Sequence, residues 1–163
     1  MSEFDQFSDS YGDDVDSAIC IPGVKHDIFI ASKVNYVKKL FELYGINKKS
    51  KVLDLGCGVG MFDSYIEDSC DLYGCDVSKD SIVTAREHNK KTTYSLIENE
   101  KLPYDDKYFD FAFTINVMHH VPPDDWKSFL LNAYDVLKID SPLCVFEHNP
   151  YNPLTQKVVR DCV

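Results

Sequence analysis

Basic residues are scarce in this chain, and long apolar runs are missing from it. Seventeen Lys and Arg face 27 Asp and Glu, a formal net charge of −10 over 163 residues. That balance argues against a nucleic-acid backbone or an anionic membrane as the main partner. The one small basic cluster, Lys48, Lys49 and Lys51, reads as a solvated turn before a strand. No stretch is apolar for long enough to span a bilayer, and the N-terminus lacks an apolar signal core, so a cytoplasmic location without a membrane segment is expected. No C-x-x-C pair joins Cys20, Cys57, Cys70, Cys75, Cys144 and Cys162, which read as small apolar residues in a reducing compartment. His119, His120 and His148 match no zinc spacing and no cysteine joins them, so no metal is expected. Glycine is also sparse, at seven residues, yet three of the seven fall at alternate positions: Gly56, Gly58 and Gly60.

Those glycines sit between a short apolar run, Val52, Leu53 and Leu55, and a helix-like stretch from Met61 to Ser69. A strand, a glycine turn and a helix start bring backbone close to any ligand above the strand end. A dinucleotide fold wants G-x-G-x-x-G, with the third glycine packing the helix beneath a pyrophosphate. Here the third glycine comes one residue early, and an acid, Asp54, stands just before the first. A carboxylate there repels a pyrophosphate and welcomes an ammonium or a sulfonium. About twenty residues on, the apolar run Leu72 to Cys75 ends in Asp76, placed to accept hydrogen bonds from two ribose hydroxyls.

The run Asp54-Leu55-Gly56-Cys57-Gly58-Val59-Gly60, with Asp76 behind it, resembles the first motif and the ribose-binding acid of class I S-adenosylmethionine (SAM)-dependent methyltransferases. Two more segments are similar to that family. Glu98 to Tyr104, followed by Phe109-Asp110, matches its stretch after the third strand, where an acid and the next backbone N–H meet the adenine. Thr114 to His120 matches the segment beside the methionine portion of the cofactor. The resemblance covers roughly Asp27 to Asn149. It implies cofactor contacts from Asp54, Gly56, Cys57, Gly58, Asp76, Val77, Glu98, Asn99 and Ile115, with SAM as methyl donor and S-adenosylhomocysteine (SAH) as product.

The rest of the chain reads as alternating strands and helices. Residues 1–24 carry six acids and no base before Lys25, and are expected to be mobile, with a lid over the cofactor as the alternative. From residue 25 a single domain is expected. Apolar residues at three- and four-residue intervals predict a helix over Asp27 to Tyr44, closed by Gly45. Further helices are expected at Ser78 to Asn89, with Ser78 as N-cap, and at Asp124 to Lys138, where Trp126, Phe129, Leu130, Ala133 and Leu137 make one face. Strands are expected at Val52–Leu55, Leu72–Asp76, Thr93–Ile97, Phe109–Ile115 and Leu143–Glu147. The fold class is therefore α/β, a Rossmann-like methyltransferase fold with a mainly parallel sheet covered by helices on both faces.

Departures from the family pattern shape the remaining expectations. Ile139-Asp140-Ser141-Pro142 replaces the usual Pro-Gly-Gly turn, and sixteen residues after Glu147 leave no room for the final helix and antiparallel hairpin. A fragment, or a second copy covering the open edge of the fifth strand, is expected. His119 is the first candidate for a general base, with His120, Glu147 and His148 behind it. Methyltransferases that act on nucleobase amino groups carry Asp/Asn-Pro-Pro-aromatic after the fourth strand. Asn116-Val117-Met118-His119 stands there instead, which favours a small-molecule acceptor methylated on O, N or C. Two rivals remain: an inactive SAM-binding interaction domain, and a nicotinamide-dependent dehydrogenase, which the early glycine and Asp54 oppose.

Overall fold

Five short runs rich in apolar residues pair side by side in one parallel sheet, buried most completely at its centre. The computed structural model describes residues 26–98, 101–149, 151 and 156. The acidic segment 1–24 and Asn99 lie outside them. The strands are β1 (Lys51–Leu55), β2 (Asp71–Asp76), β3 (Thr93–Leu96), β4 (Phe111–Ile115) and β5 (Leu143–Phe146). Their order is β3-β2-β1-β4-β5 and all four pairings are parallel. After β3 the chain returns to the other side of β1, so the loops leaving β1 and β4 diverge and open a crevice above their carboxyl ends.

Alternation along the strands divides the core. Val52, Phe111 and Phe113 face helix α1 (His26–Tyr44), where Val34, Val37 and Phe41 meet them. Phe111 meets Phe41 edge to face at 5.3 Å, and Phe113 meets Phe62 at 5.5 Å. On the other face Leu53, Leu55 and Ala112 meet Ala133, Val136 and Leu137 at helix α3 (Trp126–Val136). Helix α2 (Lys79–His88) is capped by Ser78, whose hydroxyl accepts from the Ser81 amide at 3.2 Å, and buries Ile82 and Ala85 against Tyr94.

Two expected elements change form. Met61 to Ser69 is not an α-helix: it is a chain of turns around a single 3-10 turn, Asp63–Tyr65. Most of its bonded amides reach three residues back, Asp63 to Gly60, Tyr65 to Phe62 and Ser69 to Ile66, and one, Glu67 to Asp63, reaches four. Ser, Tyr, Ile and Asp are indifferent helix formers, so tertiary contacts decide. Phe62, Ile66 and Cys70 keep the four-residue spacing and face the core, which is why the stretch looked helical. Helix α3 starts later than expected, after a 3-10 turn at Pro123–Asp125. Its buried residues are Ala133 and Val136, whereas Trp126 and Leu130 are largely exposed.

Among the described residues no helix is long and apolar enough to cross a membrane. Phe113 supports Phe62 and thereby the segment that carries Asp63. Phe113→Ala is expected to remove about 3–5 kcal/mol of stability, measured by urea unfolding. A loss below about 1 kcal/mol would show that this layer repacks.

Candidate functional site

A cavity of about 590 Å³ lies above the carboxyl ends of β1, β2 and β4. That size and position suit a bound small molecule. Its floor is the glycine loop after β1, and the loop's hydrogen bonding determines what it can hold. The Gly56 and Cys57 amides both donate to the Cys75 carbonyl, at 2.8 and 3.1 Å. The Gly58 amide donates to Asp76 Oδ2 at 2.8 Å, and the Gly60 amide to the Cys57 carbonyl at 3.0 Å. Four loop amides are therefore spent inside the protein. No α-helix follows the loop to add a dipole. The expected strand–glycine–helix start is thus a strand and a glycine loop with these four amides turned inward and no helix behind them.

Room is what two of the glycines supply. Gly56 has φ +81°, and a Cβ there would stand 2.4 Å from Val117 Cγ2, so the loop and the segment after β4 touch through its bare backbone. Gly58 has φ +52°, and a Cβ there would meet nothing within 4 Å because it opens onto the cavity.

Acids line this space. Asp54 is almost fully buried, reaches the cavity, and has no donor for its Oδ1 among the described residues. Burial, then the charge of Asp63, pushes its carboxyl well above the usual range. Asp76 also lines the cavity; its Oδ1 accepts from the Ser78 amide at 2.8 Å and its Oδ2 from Gly58. A carboxylate oxygen accepts two hydrogen bonds, so each still has one acceptor direction for a ligand hydroxyl. Asp76 therefore serves as loop anchor and as a candidate ligand contact.

The other residues expected at the cofactor divide. Gly56, Cys57, Gly58, Val77 and Ile115 line the cavity. Burial and the Asp54 charge raise the Cys57 thiol, which excludes a reactive thiolate. Glu98 is exposed, pairs its backbone with Lys101 and does not line the cavity; Ile97 and Leu102 take that wall. Asn99 is outside the described residues. Asn116, not singled out from the sequence, lines the cavity with φ +58° and a buried Oδ1 that has no donor among the described residues. Its tolerance of left-handed backbone at a strand end was the available signal.

The histidines form one cluster at the rim. His119 Nδ1 lies 2.8 Å from Glu147 Oε2, and Glu147 Oε1 accepts from the Met118 amide at 2.7 Å. Burial works against the ionised Glu147, but these hydrogen bonds outweigh it and hold the carboxyl below its ordinary range. The His119 ring stands 4.0 Å from that of His120 and 5.2 Å from that of His148. His120 and Lys33 line the cavity, and His119 does not. Burial and the His119 charge lower the pKa of His120, favouring its neutral form; burial also lowers that of Lys33, against the pull of Glu147. Among the described residues no group of three or more His, Cys, Asp or Glu is arranged to hold a metal ion.

Comparison with known proteins gives this geometry a context. Residues 53–145 match the family model described as a methyltransferase domain. The chain is 29% identical over 96 residues to methyltransferase GfsG of Streptomyces halstedii, a match covering 54% of this chain and 34% of that protein. It is 25% identical over 126 residues to phosphoethanolamine N-methyltransferase of Triticum aestivum, covering 73% of this chain and 25% of that one. The chain thus spans about a third and a quarter of these two relatives. A SAM-dependent methyltransferase from Aquifex aeolicus shares the fold with a TM-score of 0.60 at 20% identity, over 80% of this chain and 86% of that one.

The contact between Gly56 and Val117 joins the two walls of the cavity. Gly56→Ala is expected to destabilise the chain by about 1–3 kcal/mol in thermal unfolding, from the positive φ and the displaced Val117. Adding Val117→Ala should recover part of that loss. An unchanged melting temperature for the single variant would mean that the loop is free to move away.

Proposed function

The chain belongs to the methyltransferase domain family of class I SAM-dependent enzymes, and from that premise we propose that it transfers the sulfonium methyl of SAM to an O, N or C nucleophile of a small molecule. The observation that carries this reading is a cavity in which Asp54 and Asp76 stand over a loop whose Gly56, Cys57, Gly58 and Gly60 amides are already bonded within the protein. A pyrophosphate would meet those two acids with the four amides taken, whereas a ligand with an ammonium and a sulfonium is favoured beside them. The residues present fit SAM: an orphaned buried Asp54 oxygen for the amine, open space over Gly58, and spare acceptor directions on Asp76 for the ribose. Val77, Ile97 and Leu102 supply apolar walls for a flat base.

When bound, SAM supplies an electrophilic methyl on a good leaving group. The chain's part is to orient an acceptor and to exclude water, and orientation alone contributes roughly 7–11 kcal/mol. His120, neutral and in the wall, can take a proton from an acceptor hydroxyl or ammonium. His119, the first candidate from the sequence, instead orients the cluster through Glu147. An acidic chain with Asn116-Val117-Met118-His119 after β4 favours a small-molecule acceptor over nucleic acid. The wheat relative's name adds an amine as one acceptor class. An inactive SAM-binding domain is the second reading, favoured by the position of His119, the base expected from the sequence, away from the cavity lining. SAM binding without transfer to any metabolite pool would select it. We place the protein in the cytoplasm, with a second copy as the candidate cover for the β5 edge.

Calorimetric titration with SAM, SAH and NADH tests the cofactor reading. The first two are expected to bind and NADH not to bind. Asp76→Ala should weaken SAM at least about ten-fold, since each charged hydrogen bond lost costs about 1.5–3 kcal/mol. Unchanged affinity overturns the ribose assignment. With a metabolite pool as acceptor, His120→Ala should slow SAH formation about 10²-fold or more while leaving SAM affinity intact. Equal rates would remove His120 as base.

A further inference from the structure

Asp54 does not face the protein alone. Asp63, first residue of the 3-10 turn after the glycine loop, is completely buried. Its Oδ2 accepts from the Tyr94 hydroxyl, and its Oδ1, like Asp54 Oδ1, has no donor among the described residues. The two carboxyls lie within hydrogen-bonding reach of each other. Ionised carboxylates only accept, so two of them cannot satisfy one another, and buried like charges repel. One proton held between them resolves both problems.

Among the described residues no cation is one of the groups acting most strongly on the pair. The groups acting most strongly on the pair are Asp76 and the Cys75 thiol from β2, Cys57 from the loop, Glu67 and Cys70 from the turns, and Tyr94 from β3. All are acidic or neutral. Any positive counter-charge has to come from the cavity, which Asp54 reaches and Asp63 does not.

We propose that Asp63 is a positioning residue for Asp54: the pair keeps one proton while the cavity is empty, and the ammonium of the cofactor displaces it. This rests on the reading of the cavity as a SAM site. The carboxyl O–H bond breaks, the proton passes to bulk water, and ammonium N–H groups bond to the Asp54 carboxylate; nothing is oxidised or reduced. Tyr94 sets the direction. Its hydrogen bond favours the ionised form of Asp63, which burial nevertheless pushes up to about 6, and so leaves the proton on Asp54, the member a ligand can reach. The site then selects for charge: a neutral or anionic ligand has no means of displacing the proton.

The test is calorimetric titration of the intact chain with SAH in buffers of different ionisation enthalpy, from about pH 5.5 to about pH 8. Below the titration of the pair the empty protein holds a proton that the complex lacks. Affinity should therefore rise with pH, by up to about ten-fold per unit, with close to one proton released per SAH. Asp63→Asn keeps an acceptor for Tyr94 and gives Asp54 an uncharged N–H donor, so proton release should vanish and the affinity profile flatten. Tyr94→Phe should move the rise to higher pH. A purely structural role for Asp63 would instead lower affinity equally at every pH. SAH binding without proton exchange, or undiminished release from Asp63→Asn, overturns the proposal and leaves the cofactor site standing. Failure of the folded wild-type chain to bind SAH overturns both. If Asp63→Asn does not fold, an unshifted profile in Tyr94→Phe is the overturning result.

Discussion

The hydrogen bond from the Gly58 amide to the Asp76 carboxylate, with the paired bonds from Gly56 and Cys57 to the Cys75 carbonyl, ties the end of β1 to the end of β2. The site depends on this closure. It holds the glycine loop flat enough for Val117 to pack on Gly56, and so brings the β4 side of the crevice against the β1 side. It also fixes the Asp76 carboxylate at the cavity edge, since each of its oxygens is held by a backbone amide, Gly58 for one and Ser78 for the other. A side chain restrained at both oxygens loses little further freedom on meeting a ligand, which is what preorganisation requires.

The same closure settles the charge preference of the cavity. Amides turned inward cannot greet an anion, and a 3-10 turn in place of a helix brings no macrodipole to the loop. What remains facing the space is the Asp54 and Asp76 carboxylates and apolar surface, together with Lys33, His120 and Asn116. The difference from a phosphate-binding loop thus lies in where the backbone donors go, with glycine content a secondary matter. The third glycine is needed where it stands, because Gly60 has φ +72° and a Cβ there would meet Asn89 Nδ2 at 2.5 Å and the Tyr94 hydroxyl at 2.6 Å.

Much of this was legible in the chain because the informative features are local. Asp54, the glycines and Asp76 stand at strand ends, where a short apolar run sets position to within a residue, and Ser78 caps α2 as its place before Lys79 predicted. The parallel sheet follows from near-continuous apolar strands. What escaped depends on contacts between distant segments. Phe62, Ile66 and Cys70 carry a helical spacing, yet packing on Phe113 and Phe111 holds them in turns. That His120 lines the cavity while His119 does not depends on the 3-10 turn Met118–His120, where Glu147, 28 residues beyond His119, holds the His119 ring. Asp63 has no signal of its own in the sequence, lying inside the stretch from Met61 to Ser69 that reads as helix-like. Only the tyrosine of β3 and the packing of the turn against β1 make it a buried acid.

Burying two carboxyls side by side has a consequence for the fold itself. Carboxyls whose pKa is raised on folding bind a proton more tightly in the native state than in the unfolded chain, where the ordinary value is about 4. The stability of the cofactor-free protein must therefore fall as pH climbs above about 4 through the raised values of both carboxyls, Asp54 last. A ligand that brings a positive charge to Asp54 acts on the same equilibrium from the other side and restores by mass action what the lost proton withdrew. Proton and cofactor ammonium are then alternative counter-charges for one buried site. The fold can keep such an acid pair because Val52, Ile66, Phe111 and Phe113, all fully buried on the same face of the sheet, supply the packing that holds it closed.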